Sequence, residues 1–304
     1  MAAEPTTYEK QYLTPPEMMA QAAKYALYKC KKSSTMTLSL AVMGGAFIGL
    51  AFIFYITTTT GSSQIGWGVS RVLGGFMFSM GLMLVVLCGA ELFTSTVLTA
   101  IAWANRQVSV SKMLQGWGKV YLGNLVGALA LVALVYAGGV HMLHNGEWGL
   151  NAMKIAQHKL HHTPLQAFSL GVLCNLMVCL ATWMTFSSTN AMTKAFMVMM
   201  PVAMFVSTGF EHSVANMFMV PLGITIQSLA GPEFWSAVGA DPAQFADLTI
   251  GNFIFANLIP VTLGNIVGGA GLVGLANWWI YENASKKTEE KTSEPAHAAK
   301  SDCR

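Results

Sequence analysis

Residues 195–232 read AFMVMMPVAMFVSTGFEHSVANMFMVPLGITIQSLAGP, 38 residues whose only titratable side chains are Glu211 and His212. A continuous helix of that length would run about 57 Å at 1.5 Å per residue, against about 30 Å of bilayer hydrocarbon. Both polar side chains fall near its middle. The simplest account is a helix broken at depth: a half-helix, a short irregular loop and a second half-helix. Unpaired backbone there must be buried in protein or line a watery cavity. Residues 72–105 repeat the pattern, with 34 residues and one charge, Glu91.

The rest of the chain fits that reading. Of its 304 residues, 54% are hydrophobic and 10% charged, where a soluble domain carries about 25% charged residues. Mean hydropathy is +0.50. This excludes a disordered chain and an ordinary cytosolic enzyme, and predicts an all-α protein of the lipid bilayer. Further apolar runs cover residues 38–56, 120–140, 163–193 and 248–281, which with the two odd segments makes six spans. The expected organisation is a cytoplasmic N-terminal segment over 1–37, a six-helix channel domain over 38–281 and a flexible cytoplasmic tail over 282–304. Pro15-Pro16-Glu17 opens a short amphipathic helix. It can lie on the bundle or bilayer surface, or act as a plug or a dock for a cytosolic partner. The polar start has no apolar core, so no cleaved signal peptide is expected. The five cysteines are odd in number, lack a CxxC and suit small apolar roles without a disulfide.

Basic residues orient the spans. With both termini cytoplasmic, all of the 17 Lys and Arg except Arg71, Lys154 and Lys159 face the cytoplasm. In a bacterium that membrane is the inner one.

The two halves echo each other. Gly89-Ala90-Glu91 corresponds to Gly209-Phe210-Glu211, and Leu122-Gly123-Asn124-Leu125-Val126-Gly127 to Leu263-Gly264-Asn265-Ile266-Val267-Gly268. Three spans per half means that the second half enters upside down. An inverted 3+3 repeat follows, with broken helices two and five in corresponding places. Glycines four apart in these motifs imply close helix packing within one subunit.

Glu91, Glu211 and His212 therefore sit at membrane depth, where an ionisable group is a functional candidate. The carboxylates can instead serve the backbone, accepting from freed amides at helix N-termini. His212 can change charge in the neutral range. Thr94, three residues past Glu91, brings a hydroxyl to the matching loop. His158, His161 and His162 have helical spacing but no carboxylate or Cys to complete a metal site, so no metal and no cofactor are expected. No P-loop, GxGxxG, HExxH or GxSxG is present, which leaves ATP-driven transport, hydrolysis and nucleic-acid binding without a motif.

The motifs Gly89-Ala90-Glu91-Leu92-Phe93-Thr94-Ser95, Gly209 to Met217, Asn175-Leu176-Met177-Val178-Cys179 and Pro260 to Asn265 together resemble the formate/nitrite transporter family. The resemblance runs over roughly residues 15–282. It implies an aquaporin-like fold of six helices, a homopentamer with one pore per subunit, and passage of formate and similar small monovalent anions. Carried over, Thr94 and His212 lie in the two loops. Leu82, Leu92, Phe93, Val178, Phe78 and Phe205 match apolar constrictions, Lys159 an outer lysine that attracts anions, and Asn175 and Asn265 polar pore-side residues. A passive, pH-sensitive channel with His212 at its centre is the expected function. A proton-coupled symporter on the same scaffold is the alternative, and an intramembrane enzyme using His212 with Ser213 or Ser95 a distant one.

Overall fold

The structure, a computed structural model, describes residues 12–282. The tail expected over 282–304 lies outside them apart from its first residue. Every regular element among the described residues is helical.

The first helix, α1 (Pro15–Lys31), starts where the Thr14 amide donates to the Glu17 carboxylate at 2.8 Å. It buries Met19, Ala22 and Ala26, one face at helical spacing. Tyr25 stands 5.1 Å from the Phe186 ring, so α1 lies on the bundle. Then come α2 (Ser34–Thr59), α3 (Trp67–Phe78) and α4 (Met80–Leu87). After a break follow α5 (Phe93–Thr96), a 3₁₀ turn over Val97–Thr99 and α6 (Ala100–Ala104). Next are α7 (Val110–Ala137), α8 (Glu147–Leu160), α9 (Pro164–Met184) and α10 (Ala191–Ser207). A second break precedes α11 (Ser213–Leu229), followed by α12 (Pro232–Val238). The last stretch is α13 (Ile250–Asn252) and α14 (Ile259–Ile266), with π-helical turns over Phe253–Leu258 and Val267–Leu275.

Five helical stretches are long and apolar enough to cross a bilayer: Ser34–Thr59, Trp67–Leu87, Val110–Ala137, Pro164–Ser187 and Pro242–Glu282. Ser213–Leu229 with Pro232–Val238, bent by 109°, makes a sixth when counted as one. This is a multi-pass membrane protein.

Three features depart from the expectation. Helices α2 and α7 begin upstream of their apolar runs, because Ser33 and Ser109 cap them by accepting from the Met36 and Lys112 amides. The piece before the break at 88–92 is not a half-helix: α3 and α4 run on through Ser79 for 21 residues, a full crossing. The polar stretch between the apolar runs 120–140 and 163–193 contains α8, whose buried Trp148, Ala152, Ala156 and Leu160 recur every four residues.

Glycines let the helices touch. A Cβ at Gly127 would collide with the Val42 carbonyl, and one at Gly268 with the Val172 carbonyl. The α2–α7 and α9–α14 contacts are therefore close crossings inside one chain, as the spacing implied.

Candidate functional site

The two helix breaks have the same backbone. Past α4, Gly89 takes φ +73°, and the Ala90 amide donates back to the Val85 carbonyl at 3.0 Å. Past α10, Gly209 takes φ +78°, and the Phe210 amide donates to Phe205 at 3.0 Å. A positive φ with a bond reaching back over the last turn is the common end of a helix that stops on glycine. The chain then meets another helix: the Glu91 amide donates to Leu40 at 3.0 Å and the Glu211 amide to Leu170 at 3.3 Å. Leu92 and His212 follow in extended conformation, and α5 and α11 start at the next residue.

One asparagine clamps each break. Asn124 donates through Nδ2 to the carbonyls of Ala41 (2.7 Å) and Glu91 (2.8 Å), and its Oδ1 accepts the Phe93 amide at 2.9 Å. Asn265 donates to Gly171 (2.8 Å) and Glu211 (3.0 Å), and accepts the Ser213 amide at 2.9 Å. A third, Asn175, donates to the carbonyls of Thr94 (3.0 Å) and Asn265 (2.6 Å). These bonds satisfy backbone groups that a broken helix leaves orphaned. Asn175 and Asn265, expected on the pore side, are fully buried and spend these bonds on the main chain.

The carboxylates take cations instead of amides. Glu91 pairs with Lys29 of α1 and with Lys32, the C-cap of α1, each at 2.6 Å, and accepts the Thr96 hydroxyl at 3.0 Å. Glu211 pairs with Lys159 of α8 at 2.8 Å and accepts from Asn216 (2.6 Å) and Asn257 (3.1 Å). The capping role offered for Glu91 and Glu211 thus falls to asparagine. Lys159 reaches the site with its charge already matched.

Between the breaks, Thr94 Oγ1 stands 3.1 Å from His212 Nε2, both side chains buried. His212 Nδ1 accepts the Ala215 amide at 3.1 Å, so the ring caps its own helix. With Nδ1 an acceptor, the neutral imidazole carries its proton on Nε2 and donates it to Thr94 Oγ1. The Thr94 hydroxyl proton is then free for another acceptor.

Two cavities approach this pair. One, of about 220 Å³, has Phe52, Phe78, Phe205, Arg71, Lys159 and His212 in its wall. Phe205 stacks on His212 with centroids 6.1 Å apart, and Phe78 meets Phe205 edge-on at 6.2 Å. The other, of about 260 Å³, is lined by Leu82, Ser95, Glu91, Lys29, Lys32 and Lys194 among others. Thr94 is the residue next to Ser95 of one cavity and touches His212 of the other. Leu92 and Val178 are buried. Phe93 points elsewhere: its ring packs edge-on against Tyr121 at 4.8 Å and Trp117 at 6.4 Å, both on α7.

Sequence reasoning missed Asn124, Asn216, Asn257, Lys29 and Lys32 as parts of the site. Asn124 was visible as the partner of Asn265 in the repeated Leu-Gly-Asn motif. In the sequence the lysines read as topology signals and as the basic end of the first helix. No group of three metal-binding side chains occurs among the described residues. His162 lies 3.7 Å from Glu211, and His161 pairs with Asp247 at 2.5 Å.

The family described as formate/nitrite transporter matches residues 16–279. The formate channel FocA of Escherichia coli (strain K12) is 53% identical over 267 residues, covering 88% of this chain and 94% of that one. FocA of Haemophilus influenzae is 46% identical, covering 90% and 97%. A solved structure of a pentameric formate channel with formate bound superposes with a TM-score of 0.80 at 52% identity, over 83% of this chain and 99% of that one. The chain belongs to the formate/nitrite transporter family.

Proposed function

We propose that this protein is a channel passing formate and related small monovalent anions across the bacterial inner membrane. It works as a homopentamer with one pore per subunit and with both termini cytoplasmic. The relatives that are formate channels, and the pentameric structure with formate bound, support the substrate and the assembly. The matched clamps of Asn124 and Asn265 support six spans in an inverted 3+3 repeat, aquaporin-like, with spans two and five broken at residues 88–92 and 208–212.

The observation that carries the pore is the Thr94–His212 contact between the two cavities. An anion entering from either side leaves water for walls of Phe and Leu, which is costly for a bare charge. Neutral His212 donates to Thr94, and Thr94 donates onward to the anion, so one hydrogen-bond donor is offered where hydration is thinnest. Leu82, Leu92, Val178, Phe78 and Phe205 narrow the route on either side of it. Phe93 supports this wall from behind through α7. Lys159, paired with Glu211, sets the potential of one approach; Lys29 and Lys32, paired with Glu91, set that of the other.

His212 also makes the pore pH-sensitive. A proton can be added only at Nδ1, and adding it ejects the Ala215 amide from that nitrogen. Protonation is thereby coupled to the start of α11.

The test is flux of formate, nitrite and acetate into liposomes holding the purified pentamer, over a pH series with proton movement recorded. Formate should pass, with a rate that depends on pH. No formate flux from protein of confirmed assembly would sink the reading. Stoichiometric proton movement would convert the channel into a symporter.

A further inference from the structure

A third cavity, of about 470 Å³, lies where the end of α1 meets the starts of α2 and α7, and shares Lys29, Lys32 and Glu91 with the Leu82-side cavity. Its wall holds five lysines, Lys29, Lys31, Lys32, Lys112 and Lys119, and a single carboxylate, Glu91. Glu91 is consumed by Lys29 and Lys32, and Lys119 donates to the Ser34 hydroxyl at 2.7 Å. Lys31 and Lys112 have no ion-pair or hydrogen-bond partner among the described residues.

The same wall collects two helix N-termini. The caps Ser33 and Ser109 each take one amide of their helices, and neither α2 nor α7 has an acidic residue in its first turn. The first amides of two long helices, 26 and 28 residues, are left facing this region without a local anion. Ser34 and Ser111 add hydroxyls to the same wall, while that of Thr37 is donated to the Ser33 carbonyl. Excess positive charge, free amides and hydroxyls in a concave, polar space select one ligand chemistry: an oxyanion carrying more than one negative charge.

We propose that this cavity is a binding site for a phosphate-bearing polyanion, held by Lys31, Lys112 and Lys119 and by the N-termini of α2 and α7. Monovalent carboxylates such as formate are poor ligands for it, because they supply one charge to a site that presents several. The site is independent of the transport reading. The phosphate can belong to a soluble molecule or to the headgroup of an anionic lipid in the adjacent leaflet.

Two arms of one experiment separate these sources. In the first, sodium pyrophosphate is titrated calorimetrically into the full-length protein in uncharged detergent at low salt. In the second, thermal unfolding is compared in phosphatidylcholine nanodiscs with and without phosphatidylglycerol. Wild type, Lys31→Gln/Lys112→Gln and a control, Lys24→Gln, are run in both; Lys24 is exposed and outside the cavity. A soluble phosphate ligand appears as pyrophosphate binding weakened at least about tenfold in the double variant and unchanged in the control. A headgroup appears as a rise in unfolding temperature with phosphatidylglycerol that the double variant alone loses. If neither arm responds, or if the double variant responds like wild type, the site is refuted. Should the double variant fail to assemble, single Lys31→Gln, an exposed change, is read by the same criteria.

Discussion

The break at 88–92 and the break at 208–212 share a scaffold and differ in what fills it. Glycine at positive φ, a glutamate whose amide crosses to a neighbouring helix and an asparagine with three bonds recur with distances alike to within a few tenths of an ångström. The next residues diverge. Where the second break has His212, the first has Leu92; where the first has Thr94, the second has Val214. His212 caps its helix, and α11 runs 17 residues. Leu92 offers no cap, and α5 lasts four residues before passing into a 3₁₀ turn. There the hydroxyls of Ser95 and Thr99 bond to carbonyls three residues back, competing with the helix ladder. A repeated frame holds the backbone, and the residues breaking the symmetry carry the chemistry.

The largest effects should come from the shared frame. Asn124→Leu and Asn265→Leu each remove three bonds and leave buried carbonyls and an amide unpaired. Each should cost roughly 3–6 kcal/mol, seen as a large and equal drop in the unfolding temperature of the pentamer. A clearly smaller loss for one of them would break the equivalence of the two clamps.

The counter-charges come next. Glu91→Gln leaves Lys29 and Lys32 facing each other with little solvent, a cost of about 3–5 kcal/mol while both stay buried. Because Lys29 belongs to α1 and Lys32 is its C-cap, the expected escape is undocking of that helix, read as faster proteolysis before Ser33. Glu211→Gln strands only Lys159 and keeps an oxygen for Asn216, so its destabilisation should be the smaller. Equal protease sensitivity in the two variants would mean that Glu91 does not anchor α1.

The frame was largely legible in the sequence, and its fillings were only partly so. A charge in the middle of an overlong apolar run announces a break from hydropathy alone. The Leu-Gly-Asn repeat announced corresponding elements. Partners are harder, because Lys29 and Lys32 are about 60 positions from Glu91 and no periodicity joins them. The same blindness hid α8, whose short apolar face is diluted by polar residues, yet α8 supplies Lys159. The direction of Phe93 was also beyond reach, since a phenylalanine beside a break can face the route or the neighbouring helix with equal hydropathy. The resemblance put Thr94 in the loop of the first break, whereas it lies in the first turn of α5, and it did not say which asparagine atoms close the breaks.

At the symmetry-breaking pair, His212→Phe keeps ring volume against Phe205 and loses the cap, about 1 kcal/mol. Formate flux in liposomes should fall and lose its pH dependence. Thr94→Val should lower flux while the pH dependence persists, because the titrating ring and its Ala215 bond remain. If His212→Phe keeps the wild-type profile, the ring serves only as a cap.

The smallest expected effect lies at the mouth of the His212-side cavity. Burial holds the imidazoles of His158 and His162 below their usual range; for His158 the neighbouring His162 and Lys159 push the same way, while Glu211 opposes both shifts. In the folded protein they stay neutral at pH 7, where the wall offers Arg71, Lys154 and the paired Lys159 to an incoming anion. As pH falls below about 6.5, the unfolded chain takes these protons first. Stability from the neutral rings is therefore complete above that pH and is lost as pH drops through their lowered values. Charging the rings simultaneously adds positive potential beside the cavity, so formate entering from this side should half-saturate at lower concentration. His158 is exposed and the His162 side chain only 16% exposed, so salt screens the first more than the second. The gain between pH 7 and pH 5 should accordingly be modest, about two- to threefold, and shrink in high salt. His158→Gln/His162→Gln should abolish that change for entry from this side and leave entry from the Leu82 side as it was. A double variant that flattens both directions equally would place the pH response at His212 alone, and the two ends of the route would then differ in charge but not in titration.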